Sequence, residues 1–451
     1  MMDANRINQA TRNLLDWLNT WRQTSGAYNG WVVHRFDLKR LKEIHDTPWE
    51  QTPIIDGLFN LYQKTNNRAY YDLAKESVLL QIARLDTQTG MFDNAGFEDD
   101  RFSSLVHNAL ADCALLTFAE KCEAEDNAIK QKALEAVKLN FDKYFMGVLY
   151  SEKGSAFKFS VVDYYWTKED RFVANMNSVA IEAMMRYWAI TKDEYYRDVA
   201  LDVLDSVISL FCEDADSIAF GGIGYSNTHP DNFISIYTAL ALRGICYVYQ
   251  FNKDERLKKI LIASAEHLLK YTQDNYFCHA IVGKMPTPYP YWLAGGGMIL
   301  KGIDDVARTV GVSFDVDEKL HRILCHQQKC GGVSSFLRYN STDNHRRKNH
   351  PFAKVWEEIA PGPPWNAHLF EYLTRYVGED FETVKSQNKA SFHIGLRYVY
   401  FESKRTFFVS ALLPLYSCAF VLINKRKNRS IIGFSLRHLY AKIIRKIRKK
   451  S

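Results

Sequence analysis

Apolar residues recur at helical spacing along most of this chain. Residues 4–23, for example, place Leu14, Leu15 and Leu18 together with Trp17 and Trp21 on one side of a helix. Similar amphipathic stretches follow one another up to about residue 377. The pattern therefore predicts a mainly helical protein.

Five of the predicted helices begin in the same way. Each start has an acid or an amide at the N-cap, a side chain that accepts a hydrogen bond from the free N–H groups of the first turn. These residues are Asn67, Asp126, Asp193, Asp254 and Asp315, at spacings of 59, 67, 61 and 61 residues. A helical hairpin that recurs about every sixty residues is typical of a toroid or a solenoid.

The predicted helices form two alternating sets. The first set covers about 48–64, 102–121, 173–190, 231–250, 289–309 and 365–377, and its small, apolar residues suit an inner ring. The second set covers about 67–84, 126–146, 193–211, 254–272 and 315–327, and its higher charge suits an outer ring. With the N-terminal helix they make twelve helices in six pairs.

The connections between these helices are unequal in length. Turns from the first set to the second are short, such as 64–66 and 191–192. The six long connections cover 24–47, 85–101, 147–172, 212–230, 273–288 and 328–364. Long connections are often functional. All six would emerge at one end of a closed ring, so we expect the site at this long-loop end.

Residues 4–380 thus resemble the (α/α)6 toroid of the six-hairpin glycosidases and related polysaccharide lyases. The resemblance rests on repeat architecture and loop placement, and it implies an all-α (α/α)6 toroid of six helical hairpins. The chain also looks like six-hairpin proteins encoded with exopolysaccharide biosynthesis machinery. We predict a toroid over 1–385 and a connecting helix over 386–405.

The C-terminal part of the chain has a different composition. Residues 406–424 contain no charge and could span or enter a bilayer as a hydrophobic helix. Residues 425–451 hold eleven lysines and arginines and no acid, with isoleucine and leucine interleaved. This basic amphipathic tail is expected to bind an anionic membrane surface rather than nucleic acid. The alternative for 406–424 is a buried helix of the main domain.

Two further observations bear on the compartment. The eight cysteines show no paired spacing, which fits free thiols in a reducing environment. The N-terminus lacks the apolar stretch of a signal peptide. We therefore expect a membrane-associated protein with the toroid on the cytoplasmic side.

Several acids in the long connections are candidate catalytic groups. A glycoside hydrolase needs two carboxyl groups, one protonated and one ionised. The catalytic candidates are Asp99, Asp100, Asp231, Glu357, Glu358 and, as a base, His229. For the acidic segment around Asp99 the alternatives are a solvated loop or a calcium site. We expect neither a metal nor a cofactor.

Aromatic and polar residues accompany these acids. Sugar rings stack on aromatic side chains, and arginine or asparagine can bind a uronate carboxylate. The substrate-binding candidates are Trp31, His34, Trp49, Glu50, Tyr165, Trp166, Arg171, Asn175, Asn177, Tyr225, Tyr291, Trp292, Trp365, Asn366 and His368. Glu50 is equally explained as the acid of a capping box with Thr47.

The resemblance favours a carbohydrate-active protein that acts on an oligo- or polysaccharide in envelope or exopolysaccharide metabolism. Hydrolysis by paired carboxylates is the first expectation, and elimination at a uronate through His229 or Tyr225 is the second. A non-catalytic, membrane-associated scaffold that binds glycan or protein is the alternative from a different class.

Overall fold

The computed structural model describes residues 3–22, 24–28, 48–92, 104–160, 171–283, 285–337 and 362–388. This part of the chain contains twelve α-helices. They are α1 (Ala4–Asn19), α2 (Pro48–Thr65), α3 (Arg68–Ala83), α4 (Leu105–Lys121), α5 (Asn127–Asn140), α6 (Ala174–Thr191), α7 (Glu194–Ile208), α8 (Ser235–Asn252), α9 (Glu255–Lys270), α10 (Gly296–Val310), α11 (Asp317–Leu324) and α12 (Pro363–Thr374).

The six even-numbered helices form a closed inner ring. Each packs against the next, from α2 through α4, α6, α8 and α10 to α12, and α12 packs back on α2. Outside this ring α3, α5, α7 and α9 each pack on the inner helix that precedes them, and α1 packs on α12. The predicted alternation of inner and outer helices is confirmed, and the fold is an (α/α)6 toroid.

Local sequence explains the short turns. Asn67, Asp193 and Asp254 cap the outer helices by accepting a backbone N–H bond two residues on, at 3.0, 3.3 and 2.6 Å. Asp126 differs, because its carboxylate instead binds the side chains of Tyr71 and Lys75 on α3. It therefore joins two neighbouring outer helices.

Small residues allow the inner helices to approach closely. A Cβ on Gly244 of α8 would lie 2.3 Å from the carbonyl oxygen of Ser178 on α6. A Cβ on Gly302 of α10 would lie 2.9 Å from the carbonyl oxygen of Ala239 on α8. Because both contacts are with backbone, only glycine fits at these two crossings.

The long connections contain short antiparallel strands, which the all-α expectation lacked. They are β1 (Tyr150–Ser151), β2 (Ala156–Phe157), β3 (Asn232–Ile234), β4 (Thr272–Gln273), β5 (Tyr276–Phe277), β6 (Ala280–Val282), β7 (Met285–Thr287), β8 (Tyr291–Trp292) and β9 (Phe336–Leu337). They form the pair β1–β2 and sheets of order β3–β6–β7 and β4–β5–β8–β9, with Phe233 opposite Ile281 and Trp292 opposite Phe336.

These strands correct two predicted helix starts. The helix predicted from 231 begins at Ser235, because Asn232–Ile234 first pairs with β6. The helix predicted from 289 begins at Gly296, because Tyr291–Trp292 pairs with β5 and β9. Asp231 consequently lies in a turn before β3 and does not open α8.

Residues 389–451, with most of the predicted connecting helix, the hydrophobic segment and the basic tail, lie outside the described residues. Among the helices of the described ranges, none combines the length and the apolar character needed to cross a bilayer. The seven cysteines described are all free thiols, as predicted, although Cys325 is exposed.

Candidate functional site

Aromatic rings from four parts of the chain converge where the long connections meet the inner helices. In the first turn of α2, the Trp49 ring centroid lies 5.0 Å from that of His368 and 5.7 Å from that of Trp365, both on α12. Trp292 of β8 lies 5.2 Å from Trp365, and His107 of α4 lies 6.3 Å from Trp49. We call these five residues the aromatic cluster.

Polar atoms at this end of the ring are buried without a partner among the described residues. They are Nε1 of Trp292, Nε2 of His368 and Oδ1 of Asn175. The three side chains are at most 3 % exposed. Buried polar atoms are rarely left unpaired, because each costs about 1–3 kcal/mol. The aromatic cluster therefore offers hydrogen-bonding groups that a ligand could use.

The two histidines of the cluster are neutral at pH 7. Burial lowers the pKa of His107 to about 4. Burial, together with the charges of Arg243 and Lys301, lowers the pKa of His368 well below its usual value. A neutral imidazole can accept a proton, and the lowered pKa makes each a weaker base than an exposed histidine.

Two of the predicted binding asparagines have a structural role. Asn177 accepts from the backbone N–H of Phe157 at 2.7 Å and donates to the carbonyls of Phe157 and Val173. Asn366 makes the same three bonds with Val333 and Gly362. Because their polar groups are occupied, the structure does not support substrate contact by either residue.

These asparagines belong to a series that the sequence analysis missed. Each is the fourth residue of its inner helix, and Asn108 of α4 likewise accepts from the backbone N–H of Phe92 at 3.0 Å. Thr238, the fourth residue of α8, contacts the backbone of Ile223. The series ties four of the six long connections to the helices that they enter, and the spacings of 69 and 61 residues between Asn108, Asn177 and Thr238 were a usable signal.

A second predicted group lies beside the start of α6. The guanidinium of Arg171 lies 5.3 Å from the ring centroid of Tyr225, and Tyr225 stacks on Tyr237 at 5.4 Å. His229 and Asp231 follow on the same loop, and both are exposed.

Glu50 and Tyr291 are both fully buried. Glu50 follows Trp49 in the first turn of α2, and its proposed capping partner Thr47 lies outside the described residues. The ring of Tyr291 stacks on Tyr276 at 5.6 Å. Neither residue lies on an open surface.

Solved structures show the same architecture. Cellobiose 2-epimerase from Bacillus thermoamylovorans is similar, with a TM-score of 0.57 and 14% identity over 84% of this chain and 100% of that one. The GH76A α-1,6-mannanase of Salegentibacter sp. HEL1_6, an inactive variant bound to α-1,6-mannotriose, gives 0.54 and 10% over 82% and 99%. Unsaturated glucuronyl hydrolase from Streptococcus agalactiae gives 0.54 and 14% over 84% and 94%.

The fold is that of the six-hairpin glycosidase-like toroids. No protein-family model and no curated protein matches the sequence. At these identities the likeness establishes the architecture, and the chemistry has to be argued from this chain's own residues.

The remaining predicted residues lie outside the described residues. They are Trp31, His34, Asp99, Asp100, Tyr165, Trp166, Glu357 and Glu358. Their assignment as catalytic or substrate-binding groups stays a prediction.

The middle of the ring contains a group of charges that the sequence analysis did not predict. Glu182 of α6 binds both Arg243 of α8, at 2.8 Å, and Arg186, at 3.3 Å. Asp305 of α10 lies 2.7 Å from Lys301 on the same helix. Glu182 and Arg243 are separated by one repeat, 61 residues, and that periodicity was the available signal.

Proposed function

We propose that the protein is a carbohydrate-active protein of the glycoside hydrolase type, and that it binds an oligo- or polysaccharide at the aromatic cluster. One observation carries this proposal. The rings of Trp49, Trp292 and Trp365 meet at the long-loop end beside buried polar atoms that have no partner among the described residues. Sugars combine C–H faces that stack on such rings with hydroxyl groups that pair such atoms.

The proposed hydrolysis uses Asp99 and Asp100. They are consecutive in the sequence and precede α4, the helix whose first turn holds His107. The mannanase that was inactivated for its mannotriose complex also had two consecutive aspartates replaced by asparagine. In this proposal one carboxyl group protonates the leaving oxygen and the other acts as base or nucleophile. Asp231, Glu357 and Glu358 are the other candidates.

A second reaction class is favoured by the histidines. His107 and His368 flank Trp49 and are held neutral by burial. A neutral histidine next to a bound sugar could abstract a proton from carbon, as epimerisation or elimination at a uronate requires. One of the similar structures is a cellobiose 2-epimerase.

Activity on a panel of polysaccharides tests these proposals. We expect the full chain to release reducing ends from at least one neutral or uronic polysaccharide, and Trp365→Ala to weaken binding of that substrate. The double change Asp99→Asn and Asp100→Asn should abolish hydrolysis. The matched control is Asp202→Asn with Asp205→Asn, which removes two exposed carboxylates from the outer helix α7.

Each result separates the alternatives. Reducing ends together with the ultraviolet absorbance of unsaturated uronates would indicate a lyase. Epimerised products without new reducing ends would support the histidine mechanism. If the aspartate variant and its control are equally active, paired-aspartate hydrolysis is wrong. A folded protein that neither binds nor changes any glycan would favour the scaffold.

We further propose that residues 406–451 hold the protein on an anionic membrane surface, with the toroid on the cytoplasmic side, in envelope or exopolysaccharide metabolism. The eleven cations of the tail, with no acid among them, support this proposal. The full chain should sediment with vesicles that contain phosphatidylserine, and less so as salt is raised. Equal sedimentation with neutral vesicles would exclude the electrostatic part of the proposal.

A further inference from the structure

The inner ring encloses a cavity on the short-turn side of the aromatic cluster. Its volume is about 230 Å³, and all six inner helices contribute to its wall. The lining residues lie in the middle and last turns of these helices. Lys121, for example, ends α4, and Gln250 lies near the end of α8. The cavity therefore opens among the short turns, away from the proposed polysaccharide site.

The wall of this cavity is highly charged. It contains six cationic and five carboxylate side chains, an excess of one positive charge. Many of them neutralise each other, since Glu182 lies between Arg186 and Arg243, and Asp305 lies between Lys301 and Arg375. Buried pairs of this kind are fully engaged and hold the ring together.

Lys121 is a cation in the wall without an ionic partner in the part of the chain that the structure describes. Among the described residues its Nζ makes one bond, of 3.4 Å, to the Oδ1 of Asn60, and no carboxylate lies within ion-pair distance. Burial lowers the pKa of Lys121; the charges of Asp56 and Glu120 act against this shift, and those of Arg186 and Arg375 add to it. Glu120 and Asp305 neutralise Arg186 and Arg375, so Lys121 supplies the uncompensated positive charge of the described wall, and this charge favours an anion.

Glu371 is a carboxyl group in the same wall without a hydrogen bond to the described residues. Its Oε1 lies 3.6 Å from the Nζ of Lys301, and the residue is 3 % exposed. Burial raises the pKa of Glu371. Asp56, also in the wall, has one oxygen bound by Thr117 at 2.7 Å. These carboxyl groups can accept hydrogen bonds from hydroxyl groups of a ligand.

We propose that this cavity binds a small polyhydroxylated anion, a sugar acid or sugar phosphate of monosaccharide size. Lys121 binds its anionic group, and Asp56 and Glu371 bind its hydroxyl groups. Arg308, whose side chain is 57 % exposed and pairs with Asp304 at 2.8 Å, lies at the mouth, where its remaining N–H groups can donate to the anion.

Size and chemistry both limit the ligand. A volume of about 230 Å³ is below the ~300–1,000 Å³ of pockets for drug-sized molecules. A simple anion would leave the carboxyl groups facing negative charge, whereas hydroxyl groups pair with them. Among the described residues no three histidines, cysteines or acids are grouped as a metal site would need.

Binding to the full chain tests this proposal, with glucuronate and glucose 6-phosphate as probes and glucose and inorganic phosphate as comparisons. Calorimetric titration and thermal shift should detect one of the two sugar anions, and the one that binds identifies the anionic group. Lys121→Gln should weaken its binding at least tenfold. The matched control, Lys132→Gln, removes an exposed lysine from the outer helix α5 and should bind like the parent.

Two further variants keep the result interpretable. Arg308→Gln changes an exposed side chain at the mouth and should weaken binding even if Lys121→Gln does not fold. Trp365→Ala alters the aromatic cluster and should leave the affinity for the sugar anion unchanged, whatever its effect on polysaccharide binding.

Three results would overturn the proposal. The first is glucose or inorganic phosphate binding as tightly as the sugar anions, and the second is no binding of either sugar anion. The third is Lys121→Gln and Arg308→Gln both binding like the control.

Discussion

Replacing Glu182 by glutamine should destabilise the toroid, and the loss should depend on pH. Glu182 is 4 % exposed and contacts two arginines whose side chains are 5 % and 6 % exposed. Burial alone would raise its pKa, but Arg243 and then Arg186 outweigh burial and lower it from 4.5 to about 2. The carboxylate is thus held ionised by its partners.

The size of the effect follows from this pKa. The difference between 4.5 and about 2 corresponds to about 3 kcal/mol of stability at neutral pH. Breaking a buried ion pair by removing one partner costs a similar ~3–5 kcal/mol. Because the folded-state pKa is the lower one, this stability is present above pH 4.5 and is lost as pH falls towards 2.

Urea denaturation followed by circular dichroism measures this directly. At pH 7 the parent should be more stable than Glu182→Gln by about 3 kcal/mol, and at pH 3 by only about 1 kcal/mol. Glu266→Gln removes an exposed helix pair with Lys270 and should cost less than about 1 kcal/mol at either pH. The reasoning fails if Glu182→Gln behaves like this control, or if its cost does not change with pH.

Three further changes test the packing and the site. Asn177→Ala should cost about 1–3 kcal/mol in urea denaturation, because it leaves the buried N–H and C=O of Phe157 unpaired; an unchanged midpoint would contradict this. As a separate variant, Gly244→Ala should lower the free energy of unfolding by ~1–3 kcal/mol, because the added Cβ meets the carbonyl of Ser178. A neutral effect would show that α6 and α8 can separate. His107 has a folded-state pKa of about 4, below the usual 6.5, so it destabilises the fold as pH falls from 6.5 towards 4. His107→Gln should accordingly lose less thermal stability than the parent between pH 7 and 4, and equal losses would refute the assignment.

The helices were predictable because their signals are local. Asn67, Asp193 and Asp254 cap helices through bonds that span two residues, and each stands in a two-residue connection between helices. Two starts were predicted too early, at 231 and 289, because β3 and β8 take their hydrogen bonds from strands elsewhere in the chain. A strand whose partner lies far along the chain is not marked by the pattern of its neighbouring residues.

The candidate site was predictable only in part. Loop length predicted which end of the toroid holds the candidate site. Four of the predicted residues meet at that end: Trp49, Trp292, Trp365 and His368. From the sequence, Asn177 could not be told from a binding residue. In the structure its side-chain amide is bound to the backbone N–H and C=O of Phe157.

The sequence by itself determined the helices, their alternation and the ring that their repeat implies, because capping and amphipathic periodicity act within a few residues. Only the tertiary structure decided which polar side chains are occupied and which remain available. Glu182 is engaged by an arginine one repeat away, whereas Lys121 has no carboxylate partner among the described residues. That difference depends on the distances between helices after the ring has closed, and no single segment contains it.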